Sequence, residues 1–188
     1  MKAVAFTGHR CKYFYNTYDY KNEIYKPIKR EIYNRVIDYI ENKEVDTFIT
    51  GGALGIDTIS FFCVELAKKR YPNIKNVLAL PYGCQGDNWF QKNKDMLEYM
   101  KNSADSLIFV DEESGYKCGK SGVYNAKKLQ IRNKYMVDKS DILLAIWNGD
   151  KSGTKNCIDY AVNNNKQIDY LMLEKSNNKI KIRRATNE

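Results

Sequence analysis

Thr50-Gly51-Gly52-Ala53-Leu54-Gly55-Ile56-Asp57 follows the short apolar run Asp46 to Thr50 and precedes Ile59, Phe62 or Cys63, and Leu66 at helical spacing. It reads as a strand that ends in a glycine-rich turn and opens a helix. That unit belongs to a parallel sheet, because a parallel neighbour has to be reached by a crossover. Working outward, the same unit recurs. Strands are expected over Ala3 to Thr7, Asp46 to Thr50, Asn76 to Leu80, Ser106 to Val110, Ile142 to Trp147 and Ile168 to Leu173, each short and rich in β-branched or large apolar residues, as strands buried on both faces are. Helical spacing separates them, as in Ile28, Ile32, Val36 and Ile40. The expected fold is α/β, a doubly wound, mainly parallel sheet with helices on both faces, in which ligands sit at the carboxyl ends of the strands.

At 188 residues the chain is expected to form one domain, 1–188, large enough to bury a core without staples, with a basic tail over 175–188 that frays or forms an edge strand. Lys+Arg 31 against Asp+Glu 23 gives a net charge of +8, which favours anionic ligands and leaves nucleic acid as a less favoured partner, since the excess is spread along the chain. The five cysteines, at 11, 63, 84, 118 and 157, form no CxxC pair, so neither a disulfide framework nor a zinc knuckle is suggested. The single histidine, His9, excludes a His-rich metal site and the H-E-x-x-H arrangement. No cofactor or metal is expected. The opening apolar stretch is too short for a signal-peptide core, and no later run reaches about 18 apolar residues. A cytoplasmic protein with no membrane partner is the expectation.

Function then rests on the loops. The first strand ends in Thr7-Gly8-His9-Arg10, where Gly8 permits a sharp turn and His9 and Arg10 place a ring and a fixed cation at the sheet's rim. Gly51, Gly52 and Gly55, with Ala53 and Leu54 between them, suit main-chain amides closing on a phosphate at a helix N-terminus, although the spacing is neither G-x-G-x-x-G nor Walker A. Asp57 falls in that helix's first turn, where its carboxylate suits the dipole. After the fifth strand, Trp147-Asn148-Gly149-Asp150-Lys151-Ser152-Gly153-Thr154 places Gly153 and Thr154 at a second helix N-terminus. Before that strand, Arg132-Asn133 lies on a helix with Met136 one turn on, so Arg132 can face the site while Met136 packs below. Tyr82, with Gln85 and Trp89 following it, offers an aromatic wall for a base, although Trp89 is at least as well read as core.

Two stretches are long for strand-to-helix connections, Cys11 to Lys26 and Asp111 to Asn125. Lids over a site and flexible surface insertions are equally good readings of both. Within the second, Gly115-Tyr116-Lys117-Cys118-Gly119-Lys120-Ser121 imitates Walker A but has three residues between its glycines where four are needed, so a mobile lysine-bearing loop describes it better.

Taken in order, Thr7-Gly8-His9-Arg10, Gly51-Gly52-Ala53-Leu54-Gly55-Ile56-Asp57, Arg132-Asn133 and Ser152-Gly153-Thr154 resemble the SLOG superfamily, the Rossmann-like group of YpsA-type proteins, DprA and the LOG phosphoribohydrolases, with the YpsA-like branch most similar. The resemblance implies a pocket for a nucleotide or nucleotide-derived ligand, phosphates on the glycine loops, and homo-oligomerisation. LOG enzymes carry R-K-x-x-M and then P-G-G-x-G-T-x-x-E, and here the glutamate position holds Cys157. A thiol cannot replace that carboxylate, although a helix N-terminus would favour its thiolate form. A non-catalytic module that senses or sequesters a signalling nucleotide, including one made by a phage against host defence, is therefore expected ahead of an altered N-glycosidic hydrolase using Arg132 with Asp57 or Asp150. DprA-like binding of single-stranded DNA ranks third.

Overall fold

The computed structural model describes residues 1–176 and 179–184. In chain order it contains β1 (Ala3–Gly8), α1 (Lys26–Lys43), β2 (Thr47–Thr50), α2 (Ile56–Lys68), β3 (Lys75–Leu80), α3 (Gln91–Ser103), β4 (Ser106–Phe109), α4 (Ala126–Asp138), β5 (Ile142–Trp147), α5 (Gly153–Asn163), β6 (Gln167–Ser176) and β7 (Lys179–Arg184). The strands form one seven-stranded sheet in the order β4-β3-β2-β1-β5-β6-β7. Every pairing is parallel except β6 with β7. The α/β, Rossmann-like reading holds, with one strand more than the six expected. Lys179–Arg184 forms that added edge strand, while 177–178 and 185–188 of the expected tail lie outside the described residues.

Alternation along each strand sends neighbouring side chains to opposite faces, and both faces are covered. Val4, Phe6, Phe48 and Leu144 meet Ile28, Ile32 and Val36 of α1 and Ile59 and Cys63 of α2. Ala3, Ala5, Leu143 and Ala145 face the other way, where small residues let α4 and α5 approach through Met136, Val137, Ile158 and Ala161. Leu78 and Leu80 of β3 seat α3 through Leu97 and Met100. Among the described residues no helix is long and apolar enough to cross a membrane.

The winding reverses between β1 and β5. From β1 the chain steps outward to β4, then returns across the sheet to lay β5 on the other side of β1. Loops leaving these two strands head for opposite faces, so a crevice opens between their carboxyl ends.

Both long connections are anchored to the body of the fold. In the first, Phe14 and Tyr25 are wholly buried with their rings 5.2 Å apart, and the Tyr20 hydroxyl accepts a hydrogen bond from the Gly55 amide at 2.8 Å. Burying these two aromatic side chains offsets part of the entropy of ordering the segment and anchors it to the core. In the second, the buried Lys128 ammonium donates to Asp111 Oδ2 at 2.6 Å, to the Lys120 carbonyl at 2.6 Å and to the Val123 carbonyl at 2.8 Å, using all three of its protons. Lys120, the lysine of the Walker-like stretch, is thus held through its backbone, with its side chain exposed.

Candidate functional site

A cavity of about 940 Å³ occupies the crevice. β1 and its loop supply Thr7, Gly8, His9 and Arg10, the β5–α5 connection supplies Asn148 and Asp150 through Thr154, and α4 supplies Arg132 and Asn133. Gly8 is where it is because α2 starts against β1: a Cβ there would lie 2.6 Å from the Ile56 side chain. The β1 and β2 loops are also tied directly, since Arg10 and Gly55 form an antiparallel bridge and the Ile56 amide donates to the His9 carbonyl at 3.1 Å.

The glycine loop is built differently from a phosphate cradle. A Cβ on Gly51 would fall 1.2 Å from Arg132 Nη1, so the missing side chain makes room for a guanidinium. Arg132 is 5% exposed, and its Nη1 donates to Asp57 Oδ2 at 3.1 Å while its Nε donates to Asn133 Oδ1 at 3.0 Å. The Ala53 amide donates to the same Asp57 oxygen at 3.3 Å, and the Gly55 amide is taken by Tyr20. Gly52, at φ +67, has its carbonyl occupied by Gln85 Nε2 at 2.8 Å. Gly51, Gly52 and Gly55 therefore stand behind the cavity wall, with Asp57 and Arg132 in front of them and Ala53 on the wall itself.

At α5 the arrangement is open. Ser152 caps the helix by accepting from the Lys155 amide at 3.3 Å, and the Gly153 and Thr154 amides have no partner among the described residues. His9 Nε2 lies 2.6 Å from Asn148 Oδ1, and since an amide oxygen only accepts, the imidazole carries its proton there. Burial lowers the His9 pKa below its ordinary value, outweighing that hydrogen bond, so the ring is neutral at pH 7. Its face stacks on Tyr13 at 4.4 Å, and Lys175 from the end of β6 sits over the Tyr13 ring at 4.5 Å. Lys12, Lys151 and Lys175, which sequence reasoning did not single out, line the cavity with Arg10 and Arg132.

A second cavity of about 670 Å³ adjoins the first and shares Arg10, Lys12, Ala53, Leu129 and Arg132 with it. Its far wall carries Tyr18, Tyr82, Trp89 and Tyr124, and Leu54 lines it too. Tyr82 is buried and meets Tyr124 edge-on at 5.7 Å. Trp89 does both things expected of it, packing against the α3 cluster while facing this cavity. Trp147 lines neither cavity: its indole donates to the Asp150 carbonyl at 2.8 Å, bracing the loop ahead of α5. The structure thus brings Gly8, His9, Arg10, Ala53, Leu54, Tyr82, Arg132, Asn133, Gly153 and Thr154 to one continuous cleft.

The expected thiolate at Cys157 is not present. Burial pushes this thiol up to about 11, and its hydrogen bond with Thr7 and the nearby Arg132 charge do not offset that loss of hydration, so it is neutral. Among the described residues no group of three His, Cys, Asp or Glu side chains is placed to hold a metal ion.

Comparison with known proteins agrees with this geometry. The chain is 38% identical over 143 residues to the uncharacterized SPbeta prophage-derived protein YoqJ of Bacillus subtilis, covering 75% of this chain and 84% of that one. It is 24% identical over 160 residues to a UPF0398 protein of Bacillus cereus, covering 84% and 80%. Among solved structures, DNA processing protein A from Helicobacter pylori, described for its single-stranded DNA binding mode, superposes with a TM-score of 0.56 at 17% identity over 89% of this chain. DprA from Streptococcus pneumoniae superposes at 0.55 and 13%. This chain spans 63% and 49% of those two, a likeness of fold alone. The model of the YspA SLOG family (YpsA) matches residues 4–176, and the chain belongs to that family.

Proposed function

We propose that this protein binds a nucleotide or nucleotide-derived signalling ligand in the crevice between β1 and β5, as a sensor or a sequestering protein without catalysis. One observation carries the reading: Arg10, Lys12, Arg132, Lys151 and Lys175 surround the cavity against only Asp57 and Asp150, Asp57 is already paired with Arg132, and the open amino end of α5 faces the same space. Cations and unpaired amides at a helix N-terminus together make an anion site. A phage-encoded sponge for such a signal agrees with the prophage origin of the 38% identical relative. The test is mass spectrometry of small molecules released on denaturation, joined to thermal shifts with cyclic and ADP-ribose-type nucleotides. A phosphate-bearing ligand lost in Lys151→Ala is expected, and no ligand and no shift across the panel overturns the reading.

The same samples settle the hydrolase alternative: with NAD or nucleoside monophosphates, no free base is expected, and release abolished by Arg132→Ala would reverse the preference. Single-stranded nucleic acid is a second reading with its own observation, since Lys175 leads from the cavity rim onto a hairpin bearing Lys179, Lys181 and Arg183, and DprA supplies the fold precedent. That mode predicts affinity falling steeply with salt. Homo-oligomerisation, carried forward from the family resemblance, is read directly by light scattering.

A further inference from the structure

The two cavities are one cleft with a repeated chemistry. At the β1–β5 end, His9 stacks on Tyr13, 4.4 Å apart and inclined by 14°, with Lys175 over the Tyr13 ring, so His9 is the ring of this platform offered to a ligand. At the other end stand Tyr82, Tyr124, Trp89 and Tyr18. Between them, on the wall common to both, lie the guanidiniums of Arg10 and Arg132. Arg132 is committed to Asp57, whereas Arg10 is exposed and makes no ion pair among the described residues. The order along the cleft is aromatic surface, fixed cations, aromatic surface.

Size points the same way. A pocket for one drug-sized ligand spans roughly 300–1,000 Å³. The two ends, at about 940 and 670 Å³, each fall in that range. A mononucleotide placed with its phosphates at the arginines fills one end and leaves the other aromatic wall in water. Tyr124 is 63% exposed and its ring meets Tyr82 edge-on, while among the described residues Trp89 and Tyr18 make no ring–ring contact, although Trp89 also packs against the α3 cluster. The wall is also braced. Lys128 holds Asp111 and the Val123 carbonyl beneath it, Asp111 Oδ2 accepts the Gly122 amide at 2.9 Å, and the Cys84 amide reaches the Gly122 carbonyl at 3.2 Å.

Resting on the nucleotide reading above, we propose that the ligand is a dinucleotide, two ring-bearing halves joined through phosphates, with the bridging phosphates at Arg10 and one ring against each aromatic platform. A ring stacked on an aromatic side chain contributes affinity lost on alanine substitution, on the order of ten-fold per base. Calorimetry with inorganic pyrophosphate, ADP and P1,P2-diadenosine diphosphate tests it. Diadenosine diphosphate should bind on the order of ten-fold more tightly than ADP. Tyr124→Ala, at an exposed position, should remove that advantage and leave pyrophosphate unchanged, while Arg10→Ala should weaken all three probes. Equal binding of ADP and the dinucleotide, or a Tyr124→Ala effect of the same size on pyrophosphate, overturns the dinucleotide assignment and leaves the anion site standing. Failure of all three probes to bind overturns both.

Discussion

Gly51→Ala should disable the site from behind. Gly51 does not adopt a left-handed φ, so alanine is compatible with the backbone and the cost lies in contact. The new Cβ would sit 1.2 Å from Nη1, 2.1 Å from Cζ and 2.8 Å from Nε of Arg132, so the guanidinium must leave. Moving a flexible side chain is sterically cheap. What it abandons is not, because the Arg132 and Asp57 side chains are 6% and 9% exposed and 3.1 Å apart. Removing one partner of a buried ion pair costs about 3–5 kcal/mol, since the remaining charge stays desolvated. In a chain of this length each kcal/mol lowers Tm by about 2–4 °C, which gives a drop of roughly 6–20 °C. Denaturant unfolding of the four corners of a cycle with Arg132→Ala isolates the cause. In the Arg132→Ala background, Gly51→Ala should be nearly neutral, because nothing remains to be displaced. An equal cost in both backgrounds, or a cost below about 1 kcal/mol in the wild type, refutes the account.

Lys128→Met leaves Asp111 buried without its cation and should cost about 3–5 kcal/mol, with Lys128→Met/Asp111→Leu recovering part of the loss in urea unfolding. Asp169 is partly buried, which raises its carboxyl, but hydrogen bonds from Tyr39, Lys43 and Gln167 and the charge of Arg35 together hold it below the ordinary carboxylate value. Its contribution is therefore full above the unfolded value of about 3.9 and lost as pH falls through the lower folded value, so the gap in stability between wild type and Asp169→Asn should close on acidification. An unchanged gap at low pH would contradict that linkage. Iodoacetamide at pH 7.5 should modify the half-buried Cys84 and Cys118 of the native protein and spare Cys157, whose thiol stands near 11; peptide mapping that finds Cys157 alkylated first would refute its neutral, buried state.

The sheet was legible because each strand buried on both faces has to be a short apolar run, and Ile142 to Trp147 satisfies that within the sequence itself. Val110 was placed one residue too far along β4 because the chain turns into a short 3-10 helix there, which apolar character cannot reveal. Cys11 to Lys26 looked loose because tyrosine and asparagine suit a loop, yet Phe14 and Tyr25 are anchors whose partners lie far along the chain. Lys12, Lys151 and Lys175 were invisible for a different reason. Among 31 lysines and arginines nothing local marks the few that converge, and Lys175 reaches the cleft only because β6 pairs beside β5.

Gly51 and Gly52 show a deeper limit. Sequence spacing cannot say which anion a glycine loop accepts, and at α2 the chain supplies its own: Asp57 takes the Ala53 amide and Arg132 completes the pair. An internal carboxylate there competes with any phosphate, because both would draw on the same amides and the same helix-terminal charge. At α5 the cap is a neutral serine, and the Gly153 and Thr154 amides stay uncommitted. Two helix N-termini thus face one crevice, one satisfied from within and one open. On the nucleotide reading proposed above, the ligand's charge goes to the open one, with exposed Arg10 also lining the crevice, which is why the variants expected to abolish binding without unfolding the chain lie at Lys151 and Arg10 and not in the glycine loop.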